Sequence, residues 1–127
     1  MHLAAVLLSA FALGSQQCTA RQIGPGQHVE GGTRGAACLL AAFREGCRPA
    51  RYVLTGIGIS TYAVENFSVE RWSGRCAVLV ISSVTVVVGK PQVVGPRLCT
   101  GLHRLGADVV ADRCRQGPTS VSLTRFA

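Results

Sequence analysis

Three stretches decide the fold: RYVLTGIGI (51–59), AVENFSVERW (63–72) and RCAVLVISSVTVVVG (75–89). The first and third are rich in β-branched residues, which lose side-chain freedom in a helix and pack well on a pleated surface. The second alternates, with Glu65, Phe67, Val69 and Arg71 on one face and Val64, Asn66, Ser68, Glu70 and Trp72 on the other. Ser73-Gly74 between the second and third is a tight hairpin signal. The third run is long enough that a bend or turn is expected near Ser82-Ser83. Downstream, Pro91 and Pro96 bracket a short edge segment, QVVG. LGADVVADRC (105–114) and TSVSLTRF (119–126) supply two last strands, with a Gly117-Pro118 turn between them.

Upstream of Pro49 the pattern changes period. Leu39, Leu40 and Phe43 recur at helical spacing in RGAACLLAAFRE, with Cys38 and Ala42 beside them. Thr33 is a suitable cap, Gly46 a suitable stop, and Pro49 prevents the helix from resuming. The expectation is an α+β domain over 34–127: one N-terminal helix packed on an antiparallel sheet of about five strands, stapled by disulfides. Residues 15–33, with four glycines and a proline among RQIGPGQHVEGGT, read as a flexible arm ahead of that domain.

The amino terminus reads as an export signal. LAAVLLSAFAL (3–13) is apolar but too short to span a bilayer, which takes about 20 residues. Two cuts fit small residues before the cleavage point: after Gly14, giving a leader of 1–14, or after Ala20, giving 1–20. The choice matters because six cysteines follow: Cys18, Cys38, Cys47, Cys76, Cys99 and Cys114. The earlier cut keeps all six; the later one removes Cys18 and leaves an odd thiol. The place of Cys18 among the staples therefore depends on the cut, while the other five are disulfide candidates.

Spacing narrows the cysteine chemistry. In a helix over 34–45, Cys38 and Cys47 stand about 13 Å apart by helical rise, beyond the roughly 7 Å limit of a disulfide. Each should reach another element, with Cys76 a natural partner for one of them and Cys99 and Cys114 closing a hairpin-like loop. Structural zinc needs close cysteine pairs such as C-x2-C. No such pair occurs, and His2, His28 and His103 complete no ligand pattern, so no metal or other cofactor is expected.

Composition bounds the function. Thirteen basic residues against six acidic give a net charge of +7, with Lys90 the only lysine. The arginines are scattered rather than clustered, and aromatics are few, so no nucleic-acid surface is expected. An anionic envelope polymer or another protein is the expected kind of partner, and no transmembrane span is expected. Catalytic constellations are weak. Glu65 and Glu70 have opposite strand parity and should be solvated on opposite faces. His103 with Asp108 or Asp112, near Ser120 or Ser122, is the best base-and-orienter set, but no nucleophile elbow accompanies it. No catalytic residue is assigned. Asn66-Phe67-Ser68 is a formal glycosylation sequon lying inside a strand, and Trp72, between Arg71 and Ser73, reads as core or rim packing.

From Cys38 onward the order CLLAAFREGCRPARYVLTGIGI, ENFSVERWSGRC, a valine-rich strand, LCTGL and DRC resembles a family of small exported, cysteine-containing bacterial proteins of unknown function. The likeness covers about residues 37–115. It implies a Cys-led helix, a Phe-led strand ending in Gly-x-Cys and two late cysteines, with Cys18 as an extra. It implies no activity. Gly58-Ile59-Ser60 stands where the family tends to carry an Asp. Gln92-Val93-Val94-Gly95 is also similar to the inhibitory loop of cystatin-type protease inhibitors, with Pro96 as a departure. The function expected is a noncatalytic secreted or envelope-associated binding or structural module. A protease inhibitor and a small extracytoplasmic hydrolase are the alternatives.

Overall fold

The computed structural model describes residues 15–24, 33–58, 60–86 and 89–125. In chain order they form β1 (Gln16–Gln17), β2 (Arg21–Ile23), α1 (Thr33–Arg44), β3 (Ala50–Ile57), β4 (Thr61–Trp72), β5 (Arg75–Val86), β6 (Gln92–Leu105), β7 (Asp108–Cys114) and β8 (Ser120–Ser122). All eight strands belong to one sheet, in the order β1-β3-β4-β5-β6-β7-β8, with β2 pairing farther along the same β3 edge as β1. From β3 to β8 it is an antiparallel meander; β1 and β2 run parallel to β3.

The protein is therefore mostly sheet, with eight strands and a single helix among the described residues, and the expected five-strand sheet is too small. Two physical reasons account for the difference. The start of the segment read as a flexible arm is held as β1 and β2, because β3 leaves an edge whose backbone groups need partners. The segment read as a short edge piece before Pro96 continues through it, making β6 a single strand of 14 residues. The rest of the expected arm, 25–32, and the apolar leader, 1–14, lie outside the described residues.

The helix spans Thr33–Arg44, one residue ahead of the expected 34–45 at each end, with Gly46 at φ 83° just beyond it. Its apolar stripe, Ala36, Leu39, Leu40 and Ala42, is buried, and the helix packs across β3 to β7. Facing it are Ala50, Tyr52 and Leu54 of β3, Phe67 and Val69 of β4, and Val78 and Val80 of β5. These are alternate residues in register across three strands, as a half-covered sheet requires. Tyr52 and Phe67 are register partners with ring centroids 6.0 Å apart. Gly35 lets the helix settle on this layer: a side chain there would overlap the Tyr52 ring and the Thr19 carbonyl.

The sheet curls around the helix until its two ends meet. The Tyr52 hydroxyl on β3 donates to the Leu123 carbonyl just beyond β8, at 3.1 Å, and the Leu123 amide donates to the Val109 carbonyl at 2.8 Å. Burial pushes the Tyr52 phenol up to about 12, with Arg21 opposing.

Three disulfides are present: Cys18–Cys38, Cys47–Cys76 and Cys99–Cys114. As expected, Cys38 and Cys47 do not pair with each other, Cys76 takes one of them, and Cys99 and Cys114 join neighbouring strands. Cys18 is no extra: it ties the segment between β1 and β2 to the helix.

β4 and β5 meet at Ser73-Gly74, with φ 50° and 77°, the pair of positive angles that a twist-matched two-residue hairpin uses. β5 runs unbroken through Ser82 and Ser83. The irregularity expected there lies instead in its pairing with β6. Val80 pairs Arg97 and Ser82 pairs Val94, so Ile81 faces both Gly95 and Pro96 in a β-bulge.

Candidate functional site

The bulge is what builds the site. Side chains alternate between the faces of a strand, so residues three apart ordinarily point oppositely. The extra residue at Gly95-Pro96 shifts that phase, and both Val94 and Arg97 fall on the helix-facing side, opposite Ser82 and Val80. Gly95 permits this at φ 113°; a β-carbon there would come within 2.5 Å of the Val80 carbonyl oxygen. Arg97 is thereby turned into the interior and left 5% exposed, the only charged residue in the described core.

Arg97 meets a short polar row. Its Nη2 donates to the Ser82 hydroxyl at 3.5 Å, and that hydroxyl donates to Glu65 Oε2. Glu65 and Ser82 are register partners on β4 and β5, which fixes them side by side. Burial pushes the Glu65 carboxyl above its ordinary value; the Ser82 hydrogen bond and the Arg97 charge pull it partly back. The Nε and Nη1 of Arg97 are buried and have no hydrogen-bond partner among the described residues. A guanidinium carries five donors, and leaving them unmet inside a protein is costly.

Over this row lies a cleft of about 350 Å³. Glu65 and Arg97 form its sheet wall, and Pro118, Ser120, Val121, Ser122 and Arg125 come from the segment that closes the curl. That segment is pinned. The Ser122 hydroxyl accepts from the Thr124 and Arg125 amides at 3.1 and 3.2 Å. Asp108 accepts from the Thr124 hydroxyl at 2.6 Å and pairs with the Arg125 guanidinium at 3.2 Å. The turn through Gln116 and Gly117, at φ 59° and 126°, rests on Arg97: a β-carbon on Gly117 would stand 3.2 Å from Nη1. The arrangement offers donors of two arginines, serine hydroxyls and one carboxyl of raised affinity for its proton. It suits binding of a polar or anionic group.

No family model, curated protein or solved structure matches the chain.

The residues singled out by sequence distribute as follows. His103 comes together with Asp112, Nδ1 to Oδ2 3.4 Å, and not with Asp108, which is engaged by Thr124 and Arg125. Both members of the pair are partly exposed, and no serine hydroxyl among the described residues bonds His103. Ser120 and Ser122 instead line the Arg97 cleft. Gln92–Gly95 is part of β6, paired to β5, rather than the protruding loop that an inhibitor of the cystatin kind needs. Glu65 and Glu70 do point to opposite faces, but Glu65 is drawn into the polar row instead of being solvated. Trp72 is half exposed at the rim, and Asn66 sits mid-strand on β4. Among the described residues no cluster of three potential metal ligands occurs, and no helix is long and apolar enough to cross a membrane.

Arg97 itself escaped the sequence reading, which counted it with the scattered surface arginines. The signal was present: Gly95-Pro96 immediately before an arginine, inside an otherwise strand-like run, marks a bulge that re-aims the next side chain.

Proposed function

We propose that the protein is a noncatalytic, secreted or envelope-associated binding module whose ligand presents an anionic group to the Arg97 cleft. The observation that carries this reading is the Arg97 guanidinium, 5% exposed with Nε and Nη1 unpartnered in the wall of a cleft. A buried arginine with two orphan donors is a poor structural choice and a good seat for a carboxylate or phosphate. Ser120, Ser122 and Arg125 add donors from the opposite wall. The positive balance of the chain favours an anionic envelope polymer as the source of the group.

Export is supported by the apolar segment at 3–13 and by three disulfides, which persist outside reducing compartments. A cut after Gly14 fits the pairing, since a cut after Ala20 would strip Cys38 of its partner. The likeness to small exported, cysteine-containing bacterial proteins belongs to the same reading.

The test is calorimetric titration of the oxidised protein with inorganic phosphate and with polygalacturonate, beside an Arg97→Met variant. Wild type binds at least one of them, and the variant binds about 10- to 100-fold more weakly, the worth of a charge-assisted hydrogen bond or two. Equal binding by both proteins would remove Arg97 from the site, and no binding by either would remove the cleft.

A further inference from the structure

A second surface lies at the end of the sheet away from the Ser73-Gly74 turn. There the β3–β4 connection and the β5–β6 connection emerge side by side, since Thr61 pairs Val86, Tyr62 pairs Thr85 and Val84 pairs Gln92. Six of the nine large apolar side chains that are exposed among the described residues lie toward this end, and a seventh, Ile81, lies midway along β5. They occupy both faces of the sheet. Val84, Val86 and Val94 follow the phase of Ser82 on the inward face. Ile57, Tyr62, Ile81 and Val93 are on the outward one.

A flat protein partner covers one face of a sheet and leaves the other wet. Residues exposed on both faces of the same strand ends are buried together by a medium that surrounds them. Charge adds the second argument. Neither 46–64 nor 71–107 contains a single Asp or Glu, while Lys90, exposed, sits in the β5–β6 connection of a chain with net charge +7. Among the described residues, the strand ends beyond the Glu65–Ser82 row carry no carboxylate and have Lys90 close by, which matches an anionic lipid surface. Tyr62 has the amphipathic ring that suits the headgroup level.

We infer that this end of the sheet docks on an anionic lipid bilayer, inserting the paired strand ends and placing Lys90 among the headgroups. Shallow insertion of roughly 5–10 Å takes in two or three residues per strand at about 3.3 Å each. That depth accounts for Val84, Val86, Val93, Ile57 and Tyr62, and the strands remain paired within it. The inference rests on the envelope reading but not on the cleft, because Arg97 contributes nothing to this surface.

The experiment is co-sedimentation of the oxidised protein with vesicles of phosphatidylcholine alone and of phosphatidylcholine with phosphatidylglycerol in equal parts. The protein should sediment with the mixed vesicles, and less with the neutral ones. Val86→Asp and Tyr62→Ser should each abolish or sharply reduce binding, while keeping the three disulfides by intact mass. Lys90→Gln should weaken it about fivefold, and added salt should weaken it further. Arg97→Met should sediment like wild type. Absence of sedimentation overturns the inference. So does unchanged sedimentation of the Val86 and Tyr62 variants, or loss of sedimentation in Arg97→Met, which would put the lipid in the cleft. A concentration-dependent dimer that Val86→Asp dissolves would assign the surface to a second copy of the chain and overturn it as well.

Discussion

Arg97 sits where an apolar side chain would serve stability better. Among the described residues, its only hydrogen bond through the guanidinium nitrogens is the 3.5 Å donation to Ser82, and two nitrogens have none. Replacing a whole buried ionic network with apolar residues is commonly neutral or stabilising, whereas removing one member strands the other. The double replacement Arg97→Met with Glu65→Leu should therefore leave the unfolding free energy in denaturant unchanged or raise it by up to about 3 kcal/mol. A clear loss would make the pair structural. Glu65 sets the pH behaviour of the same site. Its carboxyl titrates above the ordinary range because it is buried, so protonation removes a negative charge beside the guanidinium as pH falls. Phosphate or carboxylate affinity should rise as pH drops through that titration and fall again as the carboxylate returns. A titration series descending from neutral pH checks the sign, and Glu65→Gln should flatten the dependence. None of this was legible at the level of single residues. A sequence assigns Arg97 and Glu65 to the charged, solvated class, and only the register that sets Glu65 beside Ser82 and the bulge that turns Arg97 inward bring them together.

Elements were legible in proportion to how much of their stabilisation is local. The helix carries its own apolar stripe and its Gly46 stop, and it matched to within a residue of its expected start. The Ser73-Gly74 hairpin was equally plain, because two adjacent positive-φ positions announce themselves through serine and glycine. β1 and β2 were not, since two or three largely exposed residues carry no pattern, and their parallel pairing is dictated by an edge 33 or 34 residues away in the chain. β6 was read as broken because proline removes a ladder donor; the bulge accommodates it and the strand continues. That bulge invites a test at the element scale. Gly95→Ala places a β-carbon against the Val80 carbonyl at a φ that L-residues rarely adopt. It should destabilise the protein by about 1–3 kcal/mol and, by shifting the phase of β6, weaken anion binding in parallel. Unchanged affinity in Gly95→Ala would show that the bulge does not aim Arg97.

At the scale of the whole molecule, the three disulfides close successive, non-overlapping loops with separations of 20, 29 and 15 residues. In the chain-entropy account each contributes roughly 3–4 kcal/mol, together comparable to the entire stability of a small domain, about 5–15 kcal/mol. The helix depends on two of them, Cys38 to the β1–β2 segment and Cys47 to the start of β5. Full reduction should therefore unfold the protein at ambient temperature, seen as loss of near-ultraviolet circular dichroism from Tyr52 and its surroundings; retention of that signal would mean the core holds without its staples. The curled sheet leaves one end capped by the helix, with the Arg97 cleft at the closing seam and the apolar strand ends beyond it. The order along the inward face is core, polar row, exposed valines, which follows from β4, β5 and the bulged β6 lying in register.

The central claim is that an anion reaches the Arg97 guanidinium. The direct measurement is the Nε–Hε resonance of Arg97, assigned by its absence from Arg97→Met, in protein labelled with ¹⁵N-arginine and titrated with inorganic phosphate. The account predicts a saturable shift of this resonance at phosphate concentrations that leave exposed arginines such as Arg75 unmoved. An Arg97 signal that stays fixed, or moves only in step with the surface arginines, would contradict it.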